Sequence, residues 1–439
     1  MKKLWSLLLL AVAMQPMSAQ TANNELKGYF NAFLQEKQLP SLPQTNITDV
    51  KAATAAAWQA WREANAAEAP FVVAPFKEGK TNHYEIPASL EPDAIMPYFY
   101  GTKGEVPAEG YPFFLYLHGS GPKKNEWATG FKLAQIWEDA PSFYMVPQIP
   151  NEGQLYRWWQ KGKQWVWNNV LRRAMLDEKI NPNRIYFFGI SEGGYGSQRL
   201  GAFYADYLAA VGPMAGGEPL RNAPCENMMN TPFSLLTGEY DRMFSRDVLT
   251  RRALSTLDSL ENAHPGHFVH RIALPQGYQH AIDYSPTTPW LAQFTRNATP
   301  KEFFWENFEM DGIKRNAFYN IKVNKECGEP ETRTYYTYTT KKNEIHITAS
   351  HVTYHITVRD PLMGIEITQH KTYTPAEHGD LTIFLNDQLC NTKKKVRIFV
   401  NGKECFNGKL TPSLNSLAES ITTYADSQRV FPYSVNVKW

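Results

Sequence analysis

Residues 189 to 193 read Gly-Ile-Ser-Glu-Gly, directly after the apolar run Ile185-Tyr-Phe-Phe188 and before a helical pattern beginning near Tyr195. A serine between two glycines on a strand-to-helix turn suits a nucleophile. The glycines remove Cβ atoms that would collide with strand and helix, and the strained turn lifts the hydroxyl clear of the sheet. A serine hydroxyl needs a base to take its proton, and the base needs an orienting acid. Downstream, Pro232 to Leu236 reads as a buried strand opening into Thr237-Gly-Glu-Tyr-Asp241. Phe268 to Leu274 reads as another, running into Pro275-Gln-Gly-Tyr-Gln-His280. Ser191, Asp241 and His280 thus stand in the order nucleophile, acid, base, each on a loop after a strand. Upstream, Phe113 to Leu117 ends in His118-Gly-Ser-Gly-Pro122, a glycine turn able to aim a backbone N–H at an oxyanion. The two oxyanion donors are expected near Ser120 and at Glu192.

Asp241 has rivals for the acid: Glu239, Asp247 and Asp283 all lie within reach of the same loops. Asp241 is preferred because such acids sit a few residues beyond a strand end. His264, His267 and His270 invite a metal reading, but His267 and His270 lie three apart along a strand and point to opposite faces, and zinc sites group their ligands more tightly with cysteine or carboxylate, so no metal is expected. His346, His351 and His355 fall in a strand-rich region and read as surface or cross-strand residues. His118 reads as a packing residue beside the oxyanion turn. Trp158 and Trp159 precede a helix near the carboxyl end of the sheet, where a substrate pocket would form, and are candidate pocket residues.

The segment Ile180-Asn-Pro-Asn-Arg-Ile-Tyr-Phe-Phe-Gly-Ile-Ser-Glu-Gly-Gly194 resembles the α/β-hydrolase superfamily, in particular bacterial polyhydroxybutyrate depolymerases and feruloyl esterases. It is more loosely similar to prolyl-oligopeptidase catalytic domains. The resemblance covers roughly residues 80 to 295. It implies a mostly parallel α/β sheet with helices on both faces, and Ser191, His280 and Asp241 as a catalytic triad. Many relatives carry a small or apolar residue where this chain has Glu192. A carboxylate there either steers substrate choice or points at solvent.

The elements that must position these residues are legible along the 439 residues. Met1-Lys-Lys3, an apolar run to Met14 and Ser18-Ala19 read as a secretory signal peptide, residues 1–19, so a periplasmic or secreted protein is expected. Residues 20–67 read as a polar helical segment carrying Phe30, Phe33, Trp58 and Trp61, broken near Pro40-Ser-Leu-Pro43. Strand and helix patterns alternate across 68–298, as a catalytic α/β domain requires. Across 310–439 the pattern turns to alternating, β-branched runs, with Asn401-Gly402 as a type I′ hairpin turn and Ser413 placed to cap a helix. This C-terminal region is expected to be a separate, mainly antiparallel β domain with a structural role. Tyr336 and Tyr338 are expected to be cross-strand packing partners, not a carbohydrate platform. Four cysteines permit a disulfide in an oxidising compartment, with Cys390 and Cys405 the candidate pair.

A net charge of +2, with no polybasic run longer than Lys393-Lys-Lys395, gives nucleic acid no electrostatic hold. The function that follows is an exported serine esterase with no cofactor, acting on a small-molecule or glycan-linked ester. A serine peptidase acting on short peptides, or a non-catalytic binding protein on the same scaffold, stand as alternatives.

Overall fold

The computed structural model describes residues 19–44, 47–68, 71, 73–329 and 331–439. The expected signal peptide lies outside them except for Ala19. Two helices come first, α1 (Ala19–Leu34) and α2 (Val50–Ala64), the second capped by the Asp49 carboxylate. The central sheet uses β1 (Thr81–Glu85), β2 (Ile95–Lys103), β3 (Tyr111–Leu117), β4 (Ser142–Pro147), β5 (Ile180–Ile190), β6 (Ala210–Met214), β7 (Phe233–Leu236) and β8 (His270–Ala273). Interleaved are α3 (Lys123–Ile136), α4 (Lys161–Leu176), α5 (Glu192–Phe203), α6 (Arg246–Ala263) and α7 (Thr287–Leu291). The strand order is β1-β2-β4-β3-β5-β6-β7-β8. The first two pairings, β1 to β2 and β2 to β4, are antiparallel, and all others are parallel.

The central strands are largely apolar along their middles, Phe113 to Leu117, Phe143 to Val146 and Ile185 to Phe188, because both faces are covered. Alternate residues divide between two cores. Phe113, Leu115, Phe143, Met145 and Phe187 pack with α4 and α5. Phe114, Tyr116, Tyr144, Val146, Tyr186 and Phe188 pack on the other face with Ala134 of α3 and Leu291 of α7. The expected α/β-hydrolase architecture is therefore present, and α5 starts at once after Ser191 instead of near Tyr195.

The C-terminal region holds β9 (Glu302–Asn307), β10 (Glu309–Met310), β11 (Ile313–Lys314), β12 (Ala317–Phe318), β13 (Ile321–Lys325), β14 (Arg333–Lys341), β15 (Glu344–Arg359), β16 (Glu366–Pro375), β17 (Asp380–Leu385), β18 (Val396–Val400), β19 (Lys403–Gly408), α8 (Leu414–Tyr424) and β20 (Tyr433–Lys438). Its main sheets run β12-β13-β17-β20 and β19-β18-β15-β14-β9, with β16 beside β15. Ser413 caps α8, accepting from the Ser416 N–H at 3.1 Å, and Asn401-Gly402 turns β18 into β19 with positive φ at both residues. Tyr336 stacks on Trp305 and Tyr338 on Phe303, each its direct cross-strand partner, and all four are buried. Cys390 and Cys405 do not pair, and all four cysteines are free thiols.

Two arrangements depart from the sequence reading. Runs that look like two short strands, Glu344 to Thr348 and His351 to Val358, form one 16-residue strand. Its first half is held by β14 and its second by β16, whose polar alternation gives little apolar signal. The N-terminal helices pack less on the catalytic sheet than on α8: Leu26, Phe30, Ala57 and Trp61 share a core with Leu414, Leu417 and Ile421. A buried charge network fixes the two regions together. Asp206 binds Arg315 and Arg429, while Asp426 binds Arg429 at 2.6 Å and Arg296 at 2.8 Å. Charges so deep are tolerable only when paired, so undocking the C-terminal region would strand them without their partners.

Candidate functional site

Ser191 follows β5 with φ 58° and ψ −114°, a conformation that L residues avoid, and its N–H donates to Met214 O at 2.9 Å. The flanking glycines are forced by backbone approach. A Cβ on Gly193 would sit 1.9 Å from Leu117 O, and one on Gly189 would sit 2.4 Å from the same oxygen. Neither obstacle is a side chain that can swing away. Gly193→Ala is therefore expected to destabilise the fold by about 3 kcal/mol or more. Urea unfolding of the variant, with the midpoint lowered at unchanged m-value, checks this.

Asp241, at the loop after β7, accepts from His280 Nδ1 at 2.6 Å and from Arg246 Nη1 at 3.0 Å. Its side chain is 3% exposed, whereas that of His280 is 45% exposed. Burial raises the Asp241 carboxyl, but the His280 hydrogen bond and the Arg246 guanidinium outweigh it and hold the pKa below the usual value. The group stays ionised, pins the Nδ1–H tautomer and leaves His280 Nε2 as an acceptor. None of the rival carboxylates takes this position. Glu239 accepts from the Gly277 N–H, and exposed Asp283 caps its own turn at Ser285. Arg246 also lies over the Tyr195 ring, 5.4 Å from its centroid, which packs the acid loop against the helix that Ser191 opens.

The loop after β3 closes on Ser191 from the other side. A Cβ on Gly119 would lie 3.5 Å from Ser191 Cβ, so this glycine backbone is in contact with the elbow. Ser120 is exposed at the loop, and Glu192 supplies the first backbone of α5. Ile149 N–H donates to His118 Nε2 at 3.0 Å, so His118 Nδ1–H donates to Gly119 O at 2.7 Å. Burial lowers the His118 pKa to about 4, which keeps the ring neutral in this strut. The Tyr156 hydroxyl lies 2.7 Å from Gly119 O and 3.0 Å from Gly121 O. Its part in the site had no signal in sequence, because an Arg-Trp-Trp neighbourhood gives no hint that a phenol bridges a loop some 35 residues upstream.

Beside this cluster opens a cavity of about 470 Å³. Glu192 and Tyr195 of α5, Trp159, and Phe244 of the acid loop form one side. Glu192 does not point at solvent. It is 8% exposed, its Oε2 lies 3.4 Å from Arg157, and its Oε1 has no hydrogen-bond partner among the described residues. The expectation that both tryptophans line a pocket is half corrected. Trp159 does, with the Arg199 guanidinium 3.9 Å from its ring centroid. Trp158 is fully buried and donates from Nε1 to His118 O at 3.0 Å, so it braces the loop after β3. The β15–β16 hairpin also lines it, through Arg359 at the end of β15, Gly364 and Ile365 of the turn, and Glu366 at the start of β16. The C-terminal region thus does more than pack: it shapes this cavity.

No family model matches the chain, and no curated protein sequence matches it. Among solved structures it is similar to a thermostable esterase, at 18% identity and a TM-score of 0.40, over 50% of this chain and 64% of that one. It is also similar to a ferulic acid esterase, at 15% identity and a TM-score of 0.36, over 49% of this chain and 97% of that one. A third is an S-formylglutathione hydrolase from Staphylococcus aureus, at 10% identity and 0.36, over 49% of this chain and 98% of that one.

Proposed function

We propose that this protein is a serine hydrolase that cleaves carboxylic esters through an acyl-enzyme. Ser191 Oγ attacks the ester carbonyl while His280 Nε2 takes its proton, and Asp241 stabilises the imidazolium without accepting that proton itself. Backbone N–H groups of the Ser120 loop and of Glu192 hold the oxyanion, in a loop already braced by His118, Tyr156 and Trp158. His280 returns its proton to the leaving alcohol, then activates the water that frees Ser191. The chemistry calls for no metal or organic cofactor. The single observation that carries this reading is the 2.6 Å Asp241–His280 bond in a loop packed against the strained serine turn. The leader-like residues 1–19 support export to the periplasm or the exterior. Among the described residues no helix is long and apolar enough to cross a membrane.

A panel of acetyl, feruloyl and short-chain nitrophenyl esters beside dipeptide amides tests the reading. Ester turnover is expected to exceed amide turnover once each is divided by its uncatalysed rate. The reverse order makes the protein a peptidase. No turnover of any member, with no fluorophosphonate labelling, makes it a binding protein.

A further inference from the structure

The cavity beside Glu192 is lined by four guanidinium groups, those of Arg157, Arg199, Arg221 and Arg359, and three carboxylates, those of Glu192, Glu218 and Glu366. Their layering matters more than their number. Arg157, Arg221 and Arg359 have side chains 43 to 53% exposed, while no carboxylate side chain exceeds 16%. The acids lie underneath and hold the arginines: Glu218 clamps Arg199 at 2.6 and 3.0 Å, and Glu366 holds Arg221 at 3.3 Å and Arg359 at 3.1 Å. The face offered to a ligand is therefore cationic. It is planar-forked in chemistry, which suits bidentate pairing with a carboxylate.

Two of these groups sit on the β15–β16 hairpin, and that hairpin is held in place. Asp360 accepts from Ser245 Oγ at 2.8 Å and from the N–H groups of Leu362 and Met363, which fixes the turn against the acid loop. At its base, Lys371 binds Glu226 at 2.7 Å and Glu306 at 2.8 Å. A wall anchored at both ends is preorganised for a ligand. The volume, about 470 Å³, suits a small-molecule group. Two buried side-chain oxygens of the cavity lining have no hydrogen-bond partner among the described residues, Glu192 Oε1 and the Tyr195 hydroxyl, and Glu192 is adjacent in sequence to Ser191.

We propose that this cavity, completed by the C-terminal hairpin, selects esters that carry a second, ionised carboxylate, bound by Arg221 and Arg359. This rests on the hydrolase reading and deepens it: the β region becomes a specificity element of the catalytic site. Glu192 tunes the selection. Burial pushes its carboxyl up to about 7 against the pull of Arg157. The charged groups acting on it are Arg157, Arg199, Arg246 and Glu218, and the Tyr195 phenol, Arg221, Arg359 and Glu366 line the same cavity. As pH falls through about 7, Glu192 gains a proton, its negative charge disappears and its Oε1 acquires a donor for the bound anion. The preference for the carboxylated ester therefore rises as pH falls.

The experiment compares kcat/KM within two isosteric pairs on the full-length protein, with uncatalysed hydrolysis subtracted. One is mono-4-nitrophenyl glutarate against 4-nitrophenyl pentanoate; the other is 4-acetoxybenzoate against its methyl ester. In at least one pair the carboxylated member is expected to be preferred roughly tenfold, the size of one partly desolvated charge pair. The ratio should collapse towards one in the Arg221→Gln, Arg359→Gln double variant, and stay unchanged in Arg397→Gln, which removes an exposed guanidinium elsewhere in the β region. Equal or reversed preference in both pairs, or a preference that survives the double variant, overturns the proposal. Calorimetric binding of glutarate to the Ser191→Ala protein reads the anion site without turnover. Saturable binding lost in the double variant, in a protein that hydrolyses no ester, would uphold the cavity and bring down the hydrolase reading instead.

Discussion

Ser191→Ala is expected to abolish fluorophosphonate labelling and to lower kcat on a nitrophenyl ester by about 10⁴- to 10⁶-fold, the range seen when a triad nucleophile is removed from a site that keeps its oxyanion hole. The loss belongs to chemistry and not to folding. Alanine keeps the Cβ, so the backbone strain at φ 58°, ψ −114° remains and the melting temperature should hardly move. Ser191→Gly separates the two effects further. Glycine tolerates this conformation, so the variant should be equally inactive yet more stable, by about 1 kcal/mol. Intact-mass detection of the phosphonate adduct and thermal unfolding of both variants read the two quantities independently. Labelling that survives in Ser191→Ala places the nucleophile elsewhere.

Asp241→Asn carries the second largest expected effect, a fall in kcat of roughly 10⁴-fold, because an amide can donate to His280 Nδ1 and so hold the wrong tautomer. It should also cost stability. Arg246 donates to the same carboxylate at 3.0 Å, and its side chain is only 6% exposed. Removing the partner leaves a guanidinium buried without its counter-charge, a loss of about 3 kcal/mol or more. Asp247→Asn and Glu239→Gln are the controls: neither carboxylate touches His280 among the described residues, so neither should change kcat by more than a few-fold. If either exceeds Asp241→Asn after matching for folded fraction, the acid has been assigned to the wrong loop.

How much of this was legible in one dimension differs from residue to residue. The strand runs at Phe113, Ile185 and Phe233 were readable because a strand buried on both faces must be apolar at nearly every position. That constraint is local and leaves a continuous run. The glycines at 189 and 193 were readable for a related reason, since a backbone oxygen within 2.4 Å of the missing Cβ positions admits no other residue. The order serine, acid, histidine followed from three strand ends, and the Ser413 cap and Asn401-Gly402 turn followed from short-range backbone chemistry.

What the tertiary structure alone decided concerns pairs far apart in the chain. Glu239 and Asp241 lie two residues apart on one loop, and only the docking of the loop after β8 selects the one that meets His280. Trp158 and Trp159 are neighbours of one residue type on a single turn, yet one is sealed under the loop after β3 and the other faces the cavity, a split that only the docking of that turn decides. The hairpin wall depends on Arg221 meeting Glu366 across 145 residues of sequence, and the packing of α1 and α2 on α8 spans almost the whole chain. Periodicity and turn chemistry report which face of an element is apolar and where it ends. Which two faces are brought together is set by the combined burial and pairing of the whole fold, including the Asp206–Arg429–Asp426–Arg296 network that joins the C-terminal region to the catalytic region.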